Sequence, residues 1–298
     1  MNFRLPSSED VALFLDPDDS GVDDSELRVA TVRDLARIAE LAHLLEVDFL
    51  GSAAVLSGGM AMRLRGSARL TMLDADLSAT RAADVREDDV LDVLEVQTEE
   101  ISIVPEKVKR GSDLLTVFPV SFSMRPPPVA VPGRERHFKV DLASRGLELG
   151  VDRVRFQHSY PFVVGLEDEE IPVMYLAEAV AEKAVGYGMF QLAKHFADLA
   201  YAVDPDGGGL AIDAETLREL TRKKLEGFVA RFPGLARQNG ISDLASLKPA
   251  FTQDRYMRVL KFQWQQAVRF IGDPAHHYTF DGAKTLVQER LVPTLFPH

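Results

Sequence analysis

Apolar and polar positions alternate along the chain with two different periods. Residues 26–47 (ELRVATVRDLARIAELAHLLEV) place apolar side chains three and four apart, the spacing that lines one face of a helix, and Asp23–Ser25 stand ahead of them as cap residues. Phe49–Leu56 is a short apolar run that reads as a strand, and Ser57-Gly58-Gly59 punctuates it as a turn into a helix over Met60–Arg65. Leu70–Ser78 alternates apolar with polar residues, which predicts a half-buried strand. Glu87–Leu94 has helical spacing, while Asp113–Met124 and His137–Leu142 read as two further strands around the proline-rich loop Arg125–Gly133.

Beyond about residue 170 the period changes. Pro172–Tyr187, Gly188–Val203, Asp213–Phe232, Gln253–Ile271 and Ala283–Leu291 all read as helices, broken clearly at Asp204–Gly209 (DPDGGG). The pattern predicts an α+β chain: a small mixed sheet with helices over residues 1–168, then an all-helical domain over residues 169–298. The boundary falls in the loop VGLEDEEIP, near residues 165–172.

Length and composition agree with this plan. A chain of 298 residues with 46% apolar and 27% charged positions suits two globular domains. The absence of cysteine excludes disulfides, thiolate metal sites and a cysteine nucleophile. No apolar stretch reaches the ~18 residues of a membrane span, and MNFRLPSSEDVALFLDPDD lacks the layout of a signal peptide, so a cytoplasmic protein without membrane contact is expected. A net charge of −12 changes the picture more. A nucleic-acid partner would need local basic patches, and Arg63–Arg69, Arg134–Lys139, Arg218–Lys224 and Arg255–Arg269 supply them.

Candidate chemistry gathers in Val55–Leu77 (VLSGGMAMRLRGSARLTMLDADL). On a strand, Asp74 and Asp76 share one face while Leu73, Ala75 and Leu77 take the other. Two convergent carboxylates suit Mg²⁺, a hard cation that leaves positions open to water and phosphate. The Ser57-Gly58-Gly59 turn lets a phosphate approach backbone N–H groups at a helix start. An Asp-x-Asp pair alone is more often a solvated strand face; phosphate turn, short helix and acidic strand in this order are far more specific. In His137–Leu142 (HFKVDL), Asp141 falls opposite the apolar face. If that strand adjoins the Asp74–Asp76 strand, Asp141 completes a metal site and accepts the proton of an attacking hydroxyl; taken alone, Lys139 and Asp141 read as the exposed face of an edge strand.

At these residues the chain resembles the AbiEii-type nucleotidyltransferase toxins of type IV toxin–antitoxin and abortive-infection systems, within the polymerase-β-like nucleotidyltransferase superfamily. The resemblance runs from about Phe49 to Val203. It is strongest in GGMAMRLRGSARLTMLDADL, similar to the family's Gly-Gly-x-Ala…Arg-x-Ser/Thr…Asp-x-Asp signature, and in YLAEAVAEKAVGYGMFQLAKHFADL. It implies a polymerase-β-like core around Asp74 and Asp76, which with Asp141 are the expected catalytic, metal-holding residues. It places Lys183 and Asp198 beside the active site, Lys183 on the phosphates, where they join Ser57, Gly58, Gly59 and Arg63 as the expected nucleotide site. Two Mg²⁺ ions, an NTP substrate, an RNA acceptor (the 3′ end of tRNA foremost), growth inhibition and a cognate antitoxin are implied as well. The chain departs from the pattern at Met60, where Ser or Thr is usual, at His195, where Asp is usual, and in the spacing of Arg69-x-Thr71 to Asp74.

Other positions carry weaker readings. Arg63, Arg65 and Arg69 are available to a triphosphate or an RNA. Arg222, Lys223 and Lys224 read as a solvated helix face before a nucleic-acid grip. His276-His277 lacks the spacing of a zinc pair, Trp264 reads as core, and His158 and His195 as packing residues. Two other functions remain compatible with the pattern. A small-molecule nucleotidyltransferase suits the acidic charge, and a degenerate nucleotide-binding module suits Met60 and His195.

Overall fold

A computed structural model describes residues 7, 9, 11, 25–67, 74–81, 85–112, 115–125, 136–144, 146–156, 165–166, 169–268 and 278–297. Two units divide the chain: Met1–Arg65 with Arg69–Met174, and Gly66–Ala68 with Tyr175–His298.

The first unit is built on one mixed sheet. Its helices are α1 (Ser25–Glu46), α2 (Gly58–Leu64) and α3 (Glu87–Leu94). Its strands are β1 (Ala54–Leu56), β2 (Asp74–Ala79), β3 (Val96–Gln97), β4 (Ile101–Pro105), β5 (Lys109–Ser112), β6 (Leu115–Met124), β7 (His137–Ala143), β8 (Val151–Arg155) and β9 (Glu170–Met174). Eight strands follow the order β3-β4-β6-β7-β2-β1-β9-β8, and β5 pairs with β6. The β2–β7 and β1–β9 pairs are parallel and the rest antiparallel. The period of two decides which face is buried: Phe118, Val120, Phe122 and Met124 of β6 and Phe138, Val140 and Leu142 of β7 join one core with Leu35, Ile38 and Leu41 of α1. Each such side chain contributes about 1.5–3 kcal/mol by leaving water.

The apolar run Phe49–Leu56 is strand only over Ala54–Leu56. Before it the backbone turns through Asp48 (φ 56°) and Gly51 (φ 97°), yet Phe49 and Leu50 remain buried. The run is apolar because it is covered, not because it is extended throughout. A larger correction concerns Pro172–Tyr187. Glu170–Met174 is strand β9, paired with β1 and β8, and the helix begins at Leu176. Ile171, Val173 and Met174 are fully buried, and so short an apolar run has no period to separate strand from helix. The division between units accordingly falls between Met174 and Tyr175.

The second unit is helical: α4 (Leu176–Phe190), α5 (Ala193–Val203), α6 (Ala214–Arg231), α7 (Pro233–Asn239), α8 (Lys248–Thr252), α9 (Asp254–Val268), α10 (Phe280–Leu286) and α11 (Val292–Leu295). Asp213 caps α6 by accepting from the N–H groups of Glu215 and Thr216, a start the sequence marks. Helix α4 ends later than its expected boundary, at left-handed Gln191 (φ 54°). Tyr187, Phe196, Phe251 and Trp264 form the centre of this unit; the Tyr187 ring lies 4.9 Å from both Phe196 and Phe251. The Tyr187 hydroxyl donates to the Ala250 carbonyl at 3.1 Å, which satisfies its one polar atom. No helix among the described residues is long and apolar enough to cross a membrane.

Candidate active site

The acidic strand and the glycine turn meet at Asp76. Strand β1 delivers the chain into Ser57, whose N–H donates to the Asp76 carbonyl at 2.8 Å. Gly58 follows with φ 56°, and helix α2 begins. The Gly59 N–H donates to Asp76 Oδ2 at 3.1 Å. A Cβ on Gly58 would stand 1.9 Å from that same oxygen, so this position admits only glycine both for its backbone angle and for the room it leaves. Ser57 is buried, and its hydroxyl makes no capping bond to α2.

Strand β7 brings the third carboxylate alongside. It runs parallel to β2 with Asp76 opposite Asp141 and Asp74 opposite Lys139. Register partners on neighbouring strands face the same side of the sheet. Phe138, Val140 and Leu142 are buried on the other side, whereas Asp141 is half-buried and Lys139 exposed. Asp76 and Asp141 therefore share a face at the sheet's centre. Asp74 belongs to the same strand by its backbone, but its side chain lies outside the described ones. Among the described residues no three His, Asp or Glu side chains converge as a metal site.

Arg63 turns inward. It is 4% exposed and ion-paired with fully buried Asp34 of α1, which also faces Arg37 at 3.4 Å. The sequence reading missed this cluster. Its trace is the polar series Thr31, Asp34, Arg37, Glu40 at three-residue steps, all buried. Glu40 is set apart: neither carboxyl oxygen has a hydrogen-bond partner among the described residues, and burial pushes its pKa well above the ordinary carboxylate value. Arg65 bridges Asp152 at 2.6 Å and donates to the Met174 carbonyl at 2.9 Å, tying the end of α2 to β8 and β9. Arg69, Thr71, His158, His276 and His277 lie outside the described residues.

In the helical unit Lys183 and Asp198 come together as a buried pair at 2.9 Å between α4 and α5. His195 packs against Gly186, its Nε2 3.5 Å from where a Cβ would sit, so the histidine fills the close approach of the two helices. Lys224 departs from the solvated face expected of it. It is buried between Glu178 and Glu182, the latter at 2.9 Å, while neighbouring Arg222 is exposed and pairs with Glu219. Trp264 is core, as its pattern indicates.

A mixed sheet with Asp76 and Asp141 on one face at its centre, beside a glycine turn, is the arrangement that the resemblance to the nucleotidyltransferases leads one to expect. Residues 40–285 match the family described as "Nucleotidyl transferase AbiEii toxin, Type IV TA system", and the chain belongs to that family of nucleotidyltransferase toxins. Among solved structures it is similar to MenT4, the nucleotidyltransferase toxin Rv2826c from Mycobacterium tuberculosis H37Rv. That match has 19% identity and a TM-score of 0.59, covering 93% of this chain and 98% of that one, a likeness of fold. JHP933 from Helicobacter pylori is more distant, with 13% identity, a TM-score of 0.41, and 78% and 92% of the two chains covered. No curated protein matches.

Proposed function

We propose that this chain transfers a nucleoside monophosphate from an NTP to a hydroxyl at an RNA end, the 3′ end of tRNA foremost, and that it does so with Mg²⁺. The observation that carries the reading is the register of Asp76 opposite Asp141 on adjacent parallel strands, with Asp76 against the Gly58-Gly59 turn. Two carboxylates on one face, with Asp74 on the same strand, are a hard-oxygen donor set that fits Mg²⁺. The bound ions would neutralise the triphosphate and polarise its α-phosphorus.

Asp141 takes the proton of the attacking hydroxyl. As the new oxygen–phosphorus bond forms, the bond to pyrophosphate breaks and pyrophosphate departs with the pair of electrons. Ser57, Gly58 and Gly59 form the turn proposed to hold phosphate. Gly58 lets backbone and Asp76 approach closely, and Asp34, by holding Arg63, fixes α2 beneath the turn. Lys183, oriented by Asp198, is the proposed phosphate cation of the helical unit, and a cognate antitoxin the proposed partner.

The test is incubation of the protein with total RNA and each labelled NTP in turn, with and without Mg²⁺. Labelled RNA formed by the wild type and not by Asp76→Ala is expected. Equal labelling by both proteins at matched stability would overturn the assignment. The net charge of −12 favours a second reading, a small-molecule acceptor. Pyrophosphate release with no label on any RNA would select it.

A further inference from the structure

Helix α9 carries two unlike faces. Met257, Leu260 and Trp264 are buried at core spacing. On the opposite side Arg255, Arg258, Val259 and Phe262 fall within one narrow stripe, at steps of three and four. Phe262 is 73% exposed and Val259 49%, and both arginines are exposed. The helix is held in place: the Gln263 side chain accepts from the Ala193 N–H at 3.2 Å, and the Trp264 indole donates to the Tyr278 carbonyl at 3.2 Å. Among the described residues no ring or cation contact engages Phe262.

We infer that this face of α9 is a docking surface for single-stranded RNA, with Phe262 as a stacking platform for a base and Arg255 and Arg258 on the flanking phosphates. The inference deepens the proposed acceptor reading and rests on it. An exposed ring with guanidinium groups one and two turns away on the same stripe is the combination that single-stranded nucleic acid requires, since every base has a π-face and every linkage a phosphate. Charge complementarity points the same way. In a chain of net charge −12 a polyanion is repelled by most of the surface and is drawn to the few faces where cations gather. An apolar protein partner fits less well, because the stripe offers only Val259 and Phe262 as apolar contact. The guanidinium of Arg255 lies 4.5 Å over the Tyr256 ring with a 2.8 Å hydrogen bond to its hydroxyl, which pre-orders one of the two cations.

The experiment is fluorescence anisotropy of a short fluorescein-labelled oligoadenylate with the full chain, without NTP, across a salt series. Wild type is expected to bind. Phe262→Ala weakens binding about tenfold, within the range for loss of one stacked base, and Phe262→Trp restores it. Arg255→Ala with Arg258→Ala makes the salt dependence shallower by about 1.4 in log–log slope, about 0.7 for each phosphate released. All these positions are exposed, so thermal melting stays at the wild-type midpoint. Unchanged binding in Phe262→Ala overturns the inference, as does no binding by wild type. So does equal loss of oligoadenylate and polyglutamate binding in the arginine variants, which would mark a face for an acidic protein. Transfer assays separate the two proposals. Label transfer to RNA with α9 variants binding normally leaves the reaction standing without this surface, whereas binding without transfer leaves the surface standing without the reaction.

Discussion

Gly58 and Asp76 are fitted to each other: the space a side chain would take at Gly58 is filled by the aspartate's carboxylate, 1.9 Å from an ideal Cβ. The turn and the acidic strand thus fit as one, although helix α2 stands between them in sequence.

Gly58→Ala is therefore expected to displace Asp76 and to strain a backbone at φ 56°. Transfer activity should fall to background and the melting temperature should drop. Gly227→Ala is the control, since that helical glycine has open space around it. It should be fully active and more stable by about 0.5–1 kcal/mol, the ordinary cost of glycine in a helix. Calorimetry and pyrophosphate release on both variants check the pair. An active Gly58→Ala would break the link between turn and acid.

Asp141→Asn preserves volume and removes the charge. Loss of a general base lowers rates by about 10²–10⁴, and a fall of that order in single-turnover transfer is expected with melting unchanged. Asp74→Ala and Asp76→Ala should be inactive at millimolar Mg²⁺. Near-normal turnover in any of the three would remove that residue from the mechanism.

Lys183 and Asp198 are both buried, so removing either one breaks a buried ion pair. Lys183→Met should cost about 3–5 kcal/mol, and Lys183→Met with Asp198→Leu should cost much less than the sum of the singles. If Lys183 serves the nucleotide, the double variant regains stability but not NTP affinity in titration calorimetry. Recovery of both would confine the pair to a structural role.

Glu40 should set a pH dependence of stability. Its carboxyl is buried, and desolvation raises its folded pKa, so the folded protein holds this proton more tightly than the unfolded chain does. Stability from this group is then complete below about pH 4.3, the unfolded value, and declines as pH rises through the folded pKa. Glu40→Gln should raise the melting temperature at neutral pH, with the gain shrinking towards pH 4. A pH-independent difference would point to packing instead.

Much of this was readable before any coordinates. Helix α1, the glycine turn and strand β7 follow from periods long enough to be unambiguous, and Asp76 and Asp141 could be assigned a face from alternation alone. What pattern could not give was adjacency. Nothing local says that β7 lies beside β2, or that Glu170–Met174 returns to pair with β1. Buried charge was illegible for a related reason. Arg63, Lys183 and Lys224 look like any exposed cation until Asp34, Asp198 and Glu178 are seen to face them.

The parallel pairings have a consequence in time. The β1–β2 hairpin carries the turn and the first acids, yet its flanking strands β7 and β9 come from much later in the chain. Such pairings close large loops before any contact repays them, and topologies of high contact order fold slowly. During synthesis the hairpin leaves the ribosome as an open edge on both sides, and the acid pair assembles only once β7 arrives. Assembly of the proposed site is thus deferred by the chain's own topology: a chain truncated before β7 carries the glycine turn and Asp76 but lacks Asp141.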